Sequence, residues 1–380
     1  MIGRFAILMA GCIIFCSHAS ADSFPTSAFA PNADPYARKG GCYKPSAHDT
    51  TPQDKNYVFW PANAGAGDHS TPLLLFLPGH GSKVDDYTQF LTEAAKRGYL
   101  VIGLAYRNGQ SIQNMCGYWA DCASYLLQQN VEKNTYNGFY SCGLSHDEAA
   151  KAAENNAINP RLGKFLRYLQ DHHLAGGFQW MQYYNYSTDR VNWSRIVVAG
   201  HSEGGATATW ITKNQPVIAG MTFEAPYSDL DNAPITDTHG VIHDDGRPKD
   251  DKGLTPCYSR SACPYTAHGG SKDPNSFATY LHNDDSNWAN RLWVTLSFHD
   301  KGYDLSGDWR GVNMRGATIA LSKHEHTFSS TPAALDGNKW WTYTGPPRDG
   351  CSGHGSTVVN DCYPTWMPQY WDKVLAAAHP

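Results

Sequence analysis

The chain is poor in charge. Only 17% of its 380 residues are Asp, Glu, Lys or Arg, and the formal net charge is −5. No basic patch stands out, which argues against nucleic acid as a partner. It also lacks any Cys-x-x-Cys pair, so a zinc site has little support. Beyond the first 16 residues no stretch is long and apolar enough for a membrane helix. His243, Asp244, Asp245, Asp250 and Asp251 stand close in sequence, but such a run reads more readily as a solvated loop than as a hard-cation site.

What is present is a large apolar fraction. Hydrophobic residues make up 41% and aromatics 13%, including 12 Trp and 22 Tyr. That is ample for one sizeable core. The aromatics read as packing residues before they read as a ligand-binding face. Residues 1–21 resemble a signal peptide: Arg4, an apolar run over 5–16, then Ala19-Ser20-Ala21 as a small-residue cleavage site. The expectation is a secreted or periplasmic protein that begins near Asp22. Met9-Ala-Gly-Cys12 is a weaker, lipobox-like alternative. Setting aside Cys12 and Cys16, eight cysteines remain, an even number that suits disulfides in an exported chain. Short spacing favours Cys257–Cys263 and Cys351–Cys362. Cys42, Cys116, Cys122 and Cys142 would supply two more bridges.

Strand and helix patterns alternate along the chain. Residues 57–60 read as an early strand. Residues 72–77 form a continuous apolar run, as in a strand buried on both faces of a parallel sheet, and end in Pro78-Gly-His80-Gly81. A helix is expected over 87–96 and a strand over 98–105. A helical stripe at Leu162, Phe165, Leu166 and Leu169 follows, within 149–173. Further strands are expected over 217–225, 291–300 and 317–322, the last strand, with a closing helix over 370–378. This alternation predicts a mostly parallel sheet flanked by helices. Two polar segments, about 109–145 and 228–288, are too long for simple connections and read as disulfide-pinned insertions in one domain of residues 22–380. Asn185-Tyr-Ser187 and Asn192-Trp-Ser194 are glycosylation acceptors in a eukaryotic secretory setting.

The most informative stretch is Arg195-Ile-Val-Val-Ala-Gly200-His-Ser202-Glu-Gly204-Gly-Ala. It reads as a buried strand, a sharp Gly-x-Ser-x-Gly turn and a small-residue helix start, which is the context a nucleophile elbow requires. The glycines are a steric demand: a side chain at Gly200 or Gly204 would strike a neighbouring strand or helix. The turn lifts Ser202 Oγ above the sheet and aims the Glu203 N–H at the same place, beside a helix N-terminus. The plainer reading is a helix-capping serine.

On these residues the chain resembles the α/β-hydrolase superfamily, as a secreted serine esterase or lipase-like protein. The resemblance implies the order nucleophile, acid, base along the chain. Ser202 is then the nucleophile. Asp300, after the strand over 291–300, is the expected acid, with Asp304 second and Asp229 third. His326, after the expected last strand, is the expected base, with His324 as alternative. The loop after the strand over 72–77 implies a second oxyanion donor, by position the N–H of His80, with Gly81 behind it. The chemistry requires these types independently. A serine hydroxyl needs a base in hydrogen-bond reach, and the imidazole needs an acid to fix its tautomer. The expected activity is hydrolysis of a small-molecule or polymer-linked carboxylic ester through an acyl-enzyme, with no metal or organic cofactor required. A serine peptidase or acyltransferase would use the same machinery, and an inactive hydrolase-like binding protein would keep the fold.

Overall fold

A computed structural model describes residues 26–29, 55–61, 71–106, 108, 127–128, 130–132, 157–173, 179–185, 187–188, 190–224, 291–297, 326–335, 337 and 339–379. Among these residues nine strands form one sheet: β1 (Thr26–Phe29), β2 (Asn56–Phe59), β3 (Leu73–Leu77), β4 (Leu100–Gly103), β7 (Ile196–His201), β8 (Ala219–Phe223), β9 (Leu292–Ser297), β10 (His326–Phe328) and β11 (Trp340–Tyr343). A two-stranded hairpin, β5 (Tyr184–Asn185) with β6 (Arg190–Val191), lies apart from it. The order across the sheet is β1-β2-β4-β3-β7-β8-β9-β11-β10. β2 pairs antiparallel with β1 and with β4, and every other neighbouring pair is parallel. This is the mostly parallel α/β architecture expected from the alternating pattern.

The strand sequences explain their burial. Parallel strands are covered by helices on both faces, so the run Leu73-Leu-Leu-Phe-Leu77 has no solvent side and every residue of β3 is buried. Successive side chains point to opposite faces. Leu73, Leu75 and Leu77 therefore pack with α2 (Ile158–Asp171) and α3 (Glu203–Asn214), through Leu162, Leu166, Leu169, Trp210 and Ile211. Leu74 and Phe76 pack on the other side with α1 (Thr88–Lys96) and α4 (Met367–Ala378), through Phe90, Leu91, Trp371 and Leu375. The stripe expected at Leu162, Phe165, Leu166 and Leu169 is the buried face of α2.

Differences from expectation concentrate near the C-terminal edge of the sheet. The expected strand over 317–322 lies outside the described residues. The strand on the far side of β9 from β8 is β11, and β10, although earlier in the chain, lies outside β11 at the sheet edge. Cys351 and Cys362 form the expected disulfide. The other expected pairings, the leader, the insertion over 228–288 and most of that over 109–145 fall outside the described residues. No described helix is long and apolar enough to cross a membrane.

Candidate active site

The elbow has the geometry its sequence demands. Ser202 follows β7 and precedes α3, with φ 54° and ψ −122°. A non-glycine residue in that region carries strain of about 1–3 kcal/mol, and such strain clusters at functional turns. Its N–H donates to Phe223 O at 2.9 Å, which pins the turn to the end of β8. A Cβ on Gly200 would run into the Gly204 carbonyl, and one on Gly204 into the Leu77 carbonyl at the end of β3. The glycines thus let α3 start directly against two strand ends. Glu203 is the first residue of α3, where backbone N–H groups favour negative charge.

The loop after β3 lies against this turn. A Cβ on Gly79 would stand 2.9 Å from Ser202 Cβ and 3.0 Å from His201 Nδ1. Residues 79–82 form a β-turn closed by Ser82 N–H to Gly79 O at 3.0 Å, with Gly81 at φ 68° as a type II turn requires. The Asn108 amide clamps the turn, donating to Gly79 O at 2.5 Å and Ser82 O at 2.9 Å. Gly81 N–H donates to Asn108 O, and Gly79 N–H to the Tyr87 hydroxyl. The Gly81 amide is therefore engaged in the clamp. His80, between the two glycines, is exposed beside the elbow.

His201, next to the serine, is 3% exposed and bonded through both ring nitrogens. Nε2 lies 2.6 Å from His354 O, and a carbonyl only accepts, so Nε2 carries the proton. Nδ1 lies 2.8 Å from Tyr87 Oη and in the neutral ring accepts from it. Burial pushes the Tyr87 phenol well above its ordinary value, which keeps that hydroxyl a donor. Tyr106, fully buried, is raised chiefly by burial and next by the Glu203 carboxylate, and donates to Pro78 O at 2.9 Å.

The structure does not bring His326 to Ser202. Successive cross-strand partners run His201, Phe223, Thr295, Trp341, His326, so the two histidines occupy one row, separated by four strand spacings. At ~4.8 Å per strand that is roughly 19 Å, far outside hydrogen-bond reach. His326 packs instead on Trp341, with ring centroids 5.2 Å apart.

A different histidine stands at the elbow. His354 lies in the short turn Gly353–Gly355, on the loop that follows β11. Its ring is half-buried and 4.8 Å from the His201 ring, centroid to centroid. The Cys351–Cys362 disulfide closes the loop around it. Trp371 Nε1 donates to Thr357 O at 2.9 Å, and Asn360 N–H to Asp86 O at 2.7 Å, which fasten the loop to α4 and to the turn before α1. In the sequence His354 is hidden by the expectation that the last strand ends before residue 326. The available signal was the run Trp340-Trp-Thr-Tyr343 followed by a glycine-flanked histidine between two cysteines.

Glu224 is likewise not among the residues the sequence points to. It is 2% exposed, follows β8 directly and has φ 65°. Its Oε2 accepts Ser297 N–H at 2.8 Å and its Oε1 accepts the Thr357 hydroxyl at 2.6 Å. Asp300, Asp304, Asp229 and His324 lie outside the described residues. Among the described residues no group of three or more His, Cys, Asp or Glu side chains is placed to hold a metal ion.

No family model matches the chain, and no curated protein matches it. Solved structures similar to it include an esterase from the planctomycete Thermogutta terrifontis, at 12% identity, 85% of each chain covered and a TM-score of 0.36. A protein from Thermus thermophilus is similar at 14% identity over 85% of this chain and 91% of that one, TM-score 0.34. An isopeptidase is similar at 11% identity over 85% of this chain and 36% of that one, TM-score 0.36. At these values the likeness says nothing about activity, and the α/β assignment rests on the sheet order itself.

Proposed function

We propose that the chain is an exported serine hydrolase of carboxylic esters, with Ser202 as nucleophile and His354 as general base. The observation that carries this reading is the strained Ser202 turn, held between the Gly79 loop and a loop whose histidine packs on the neighbouring His201. Ser202 Oγ attacks the ester carbonyl while His354 takes its proton. The tetrahedral oxyanion is held by the N–H groups of Glu203 and His80, one at a helix start and one on a clamped turn. Collapse expels the alcohol, which receives the proton from His354. Water, deprotonated by His354, then attacks the acyl-enzyme, and collapse releases the acid while Ser202 Oγ takes the proton back from His354. Asp300 remains the first candidate for the acid that orients the imidazole and Asp304 the second, on their order in the chain.

The test is turnover of a short-chain p-nitrophenyl ester series beside Ser202→Ala, with a fluorophosphonate probe on both. Loss of turnover by at least about 10^4-fold together with loss of labelling is the expected result. Turnover unchanged in the variant sinks the nucleophile assignment. Labelling at Ser202 without ester turnover keeps the nucleophile and directs the search to peptide or polymer substrates.

A further inference from the structure

We infer that Glu224 is a positioning residue for this reaction: its buried carboxylate fastens the loop that carries His354 to the strand ends beside the nucleophile. The inference rests on the proposed hydrolase reading and adds to it a residue that takes no part in the proton transfers described above.

Three observations meet at this side chain. The first is conformational. Glu224 sits in the left-handed region at φ 65°, which glycine adopts freely and a glutamate adopts only at a cost. A side chain kept at such a position has to offset that strain. The second is burial. At 2% exposure the carboxyl has lost nearly all its water, so its oxygens require partners inside the protein. The third is what those partners are. Ser297 N–H is the last amide of β9, 73 residues away, and the Thr357 hydroxyl belongs to the His354 loop, 133 residues away. The backbone around Glu224 extends the link. Glu224 N–H donates to Thr295 O, and Phe223 O accepts the Ser202 N–H, both at 2.9 Å. One dipeptide therefore joins the nucleophile turn, the end of β9 and the base loop.

The partners also define the role. Two of the bonds this carboxylate makes go to an amide and a hydroxyl, and an uncharged carboxamide can satisfy both. A glutamine offers its carbonyl to Ser297 N–H and an N–H to Thr357 Oγ1. A positioning role needs the shape and the two bonds, whereas an acid that stabilises an imidazolium needs the charge.

The experiment compares Glu224→Ala, Glu224→Gln and Thr357→Val in the full chain, reading p-nitrophenyl ester kinetics, end-point fluorophosphonate labelling and amide exchange over residues 353–358. Glu224→Ala is expected to lower kcat on the order of 100-fold, the scale of a misplaced catalytic group, with KM within about threefold and Ser202 still labelled to completion. Glu224→Gln is expected to recover turnover to within about fivefold of the parent. Thr357→Val is expected to lose about tenfold and to add little on top of Glu224→Ala, because both break one link. Should Glu224→Ala fail to fold, Thr357→Val and Glu224→Gln carry the test. A Glu224→Gln loss near 10^4-fold overturns the inference and makes Glu224 the triad acid. A fall explained by fewer labelled chains at unchanged turnover per labelled chain also overturns it, in favour of a purely structural part. Amide exchange separates failure of this inference from failure of the hydrolase reading. Exchange over 353–358 at least about tenfold faster in Glu224→Ala is expected; with a parent that has no esterase activity it leaves the fastening of the loop standing and sinks the catalytic part, and unchanged protection sinks the inference itself.

Discussion

The two flanks of β7, the strand that ends at Ser202, are built differently. On one side, β3 and β4 deliver their loops by local rules. A buried apolar run ends in glycines, and the turn that follows is closed within four residues and clamped by Asn108. On the other side, β8, β9 and β11 deliver theirs through long-range bonds. Glu224 reaches Ser297 and Thr357, His201 reaches the His354 carbonyl, and a disulfide closes the loop. Backbone geometry, with one side-chain clamp from Asn108, shapes the flank proposed to hold the oxyanion, whereas side-chain ties between distant segments assemble the flank proposed to carry the base. Substitutions that cost side-chain atoms should therefore harm the second flank more, and substitutions that add atoms should harm the first.

The sharpest way to break this contrast is the histidine pair. His354→Ala should lower ester turnover about 10^3- to 10^4-fold, while His326→Ala should leave it within about threefold, measured as kcat/KM on one short ester. The reverse result would return the base to the sheet edge.

Adding one methyl to the other flank tests the opposite prediction. Gly204→Ala forces a Cβ into the Leu77 carbonyl, a backbone atom that cannot swing aside. A loss of about 3 kcal/mol or more in denaturant unfolding is expected. A variant of near-parental stability would mean that the elbow is looser than its geometry indicates.

Replacing Cys351 and Cys362 with serine opens a loop of sequence separation 11. Chain entropy predicts a cost of about 2–3 kcal/mol. If the base flank depends on this closure, kcat should also fall at temperatures where the chain is fully folded. Equal kcat in the two forms would show that the loop's hydrogen bonds, those of Glu224, Trp371, Asn360 and His201 among them, suffice to hold it.

The smallest effect is expected from Tyr87→Phe. It removes one hydroxyl that links Gly79 N–H to His201 Nδ1, so it touches both flanks at their junction. About 1 kcal/mol of stability and a few-fold decrease in kcat should follow. A silent substitution would separate the flanks energetically.

Particular residues show how far the sequence could be read. The run Leu73-Leu-Leu-Phe-Leu77 announced a doubly covered strand, and Gly200-His-Ser202-Glu-Gly204 announced the turn after β7, because each signal lies within one element. The stripe Leu162, Phe165, Leu166 and Leu169 gave the buried face of α2 for the same reason. The place of His326 in the sheet was not legible, because chain order is not spatial order. A histidine after an apolar stretch looks the same whether its strand is next to β9 or one further out. Glu224 carried no local signal, since a glutamate at a strand end is ordinary until its burial and its partners 73 and 133 residues away are known.

The sequence by itself determined the alternation of strands and helices, the two-faced burial of the central strands and the glycine turn at Ser202. Those follow from periodicity and sterics over a few residues. The tertiary structure alone decided that β11 lies between β9 and β10 and that the His354 ring packs on His201, next to Ser202, while His326 lies four strands away. It also decided that a buried glutamate joins three segments. Strand order is set by which faces bury together across the whole sheet, and no window of sequence contains that information.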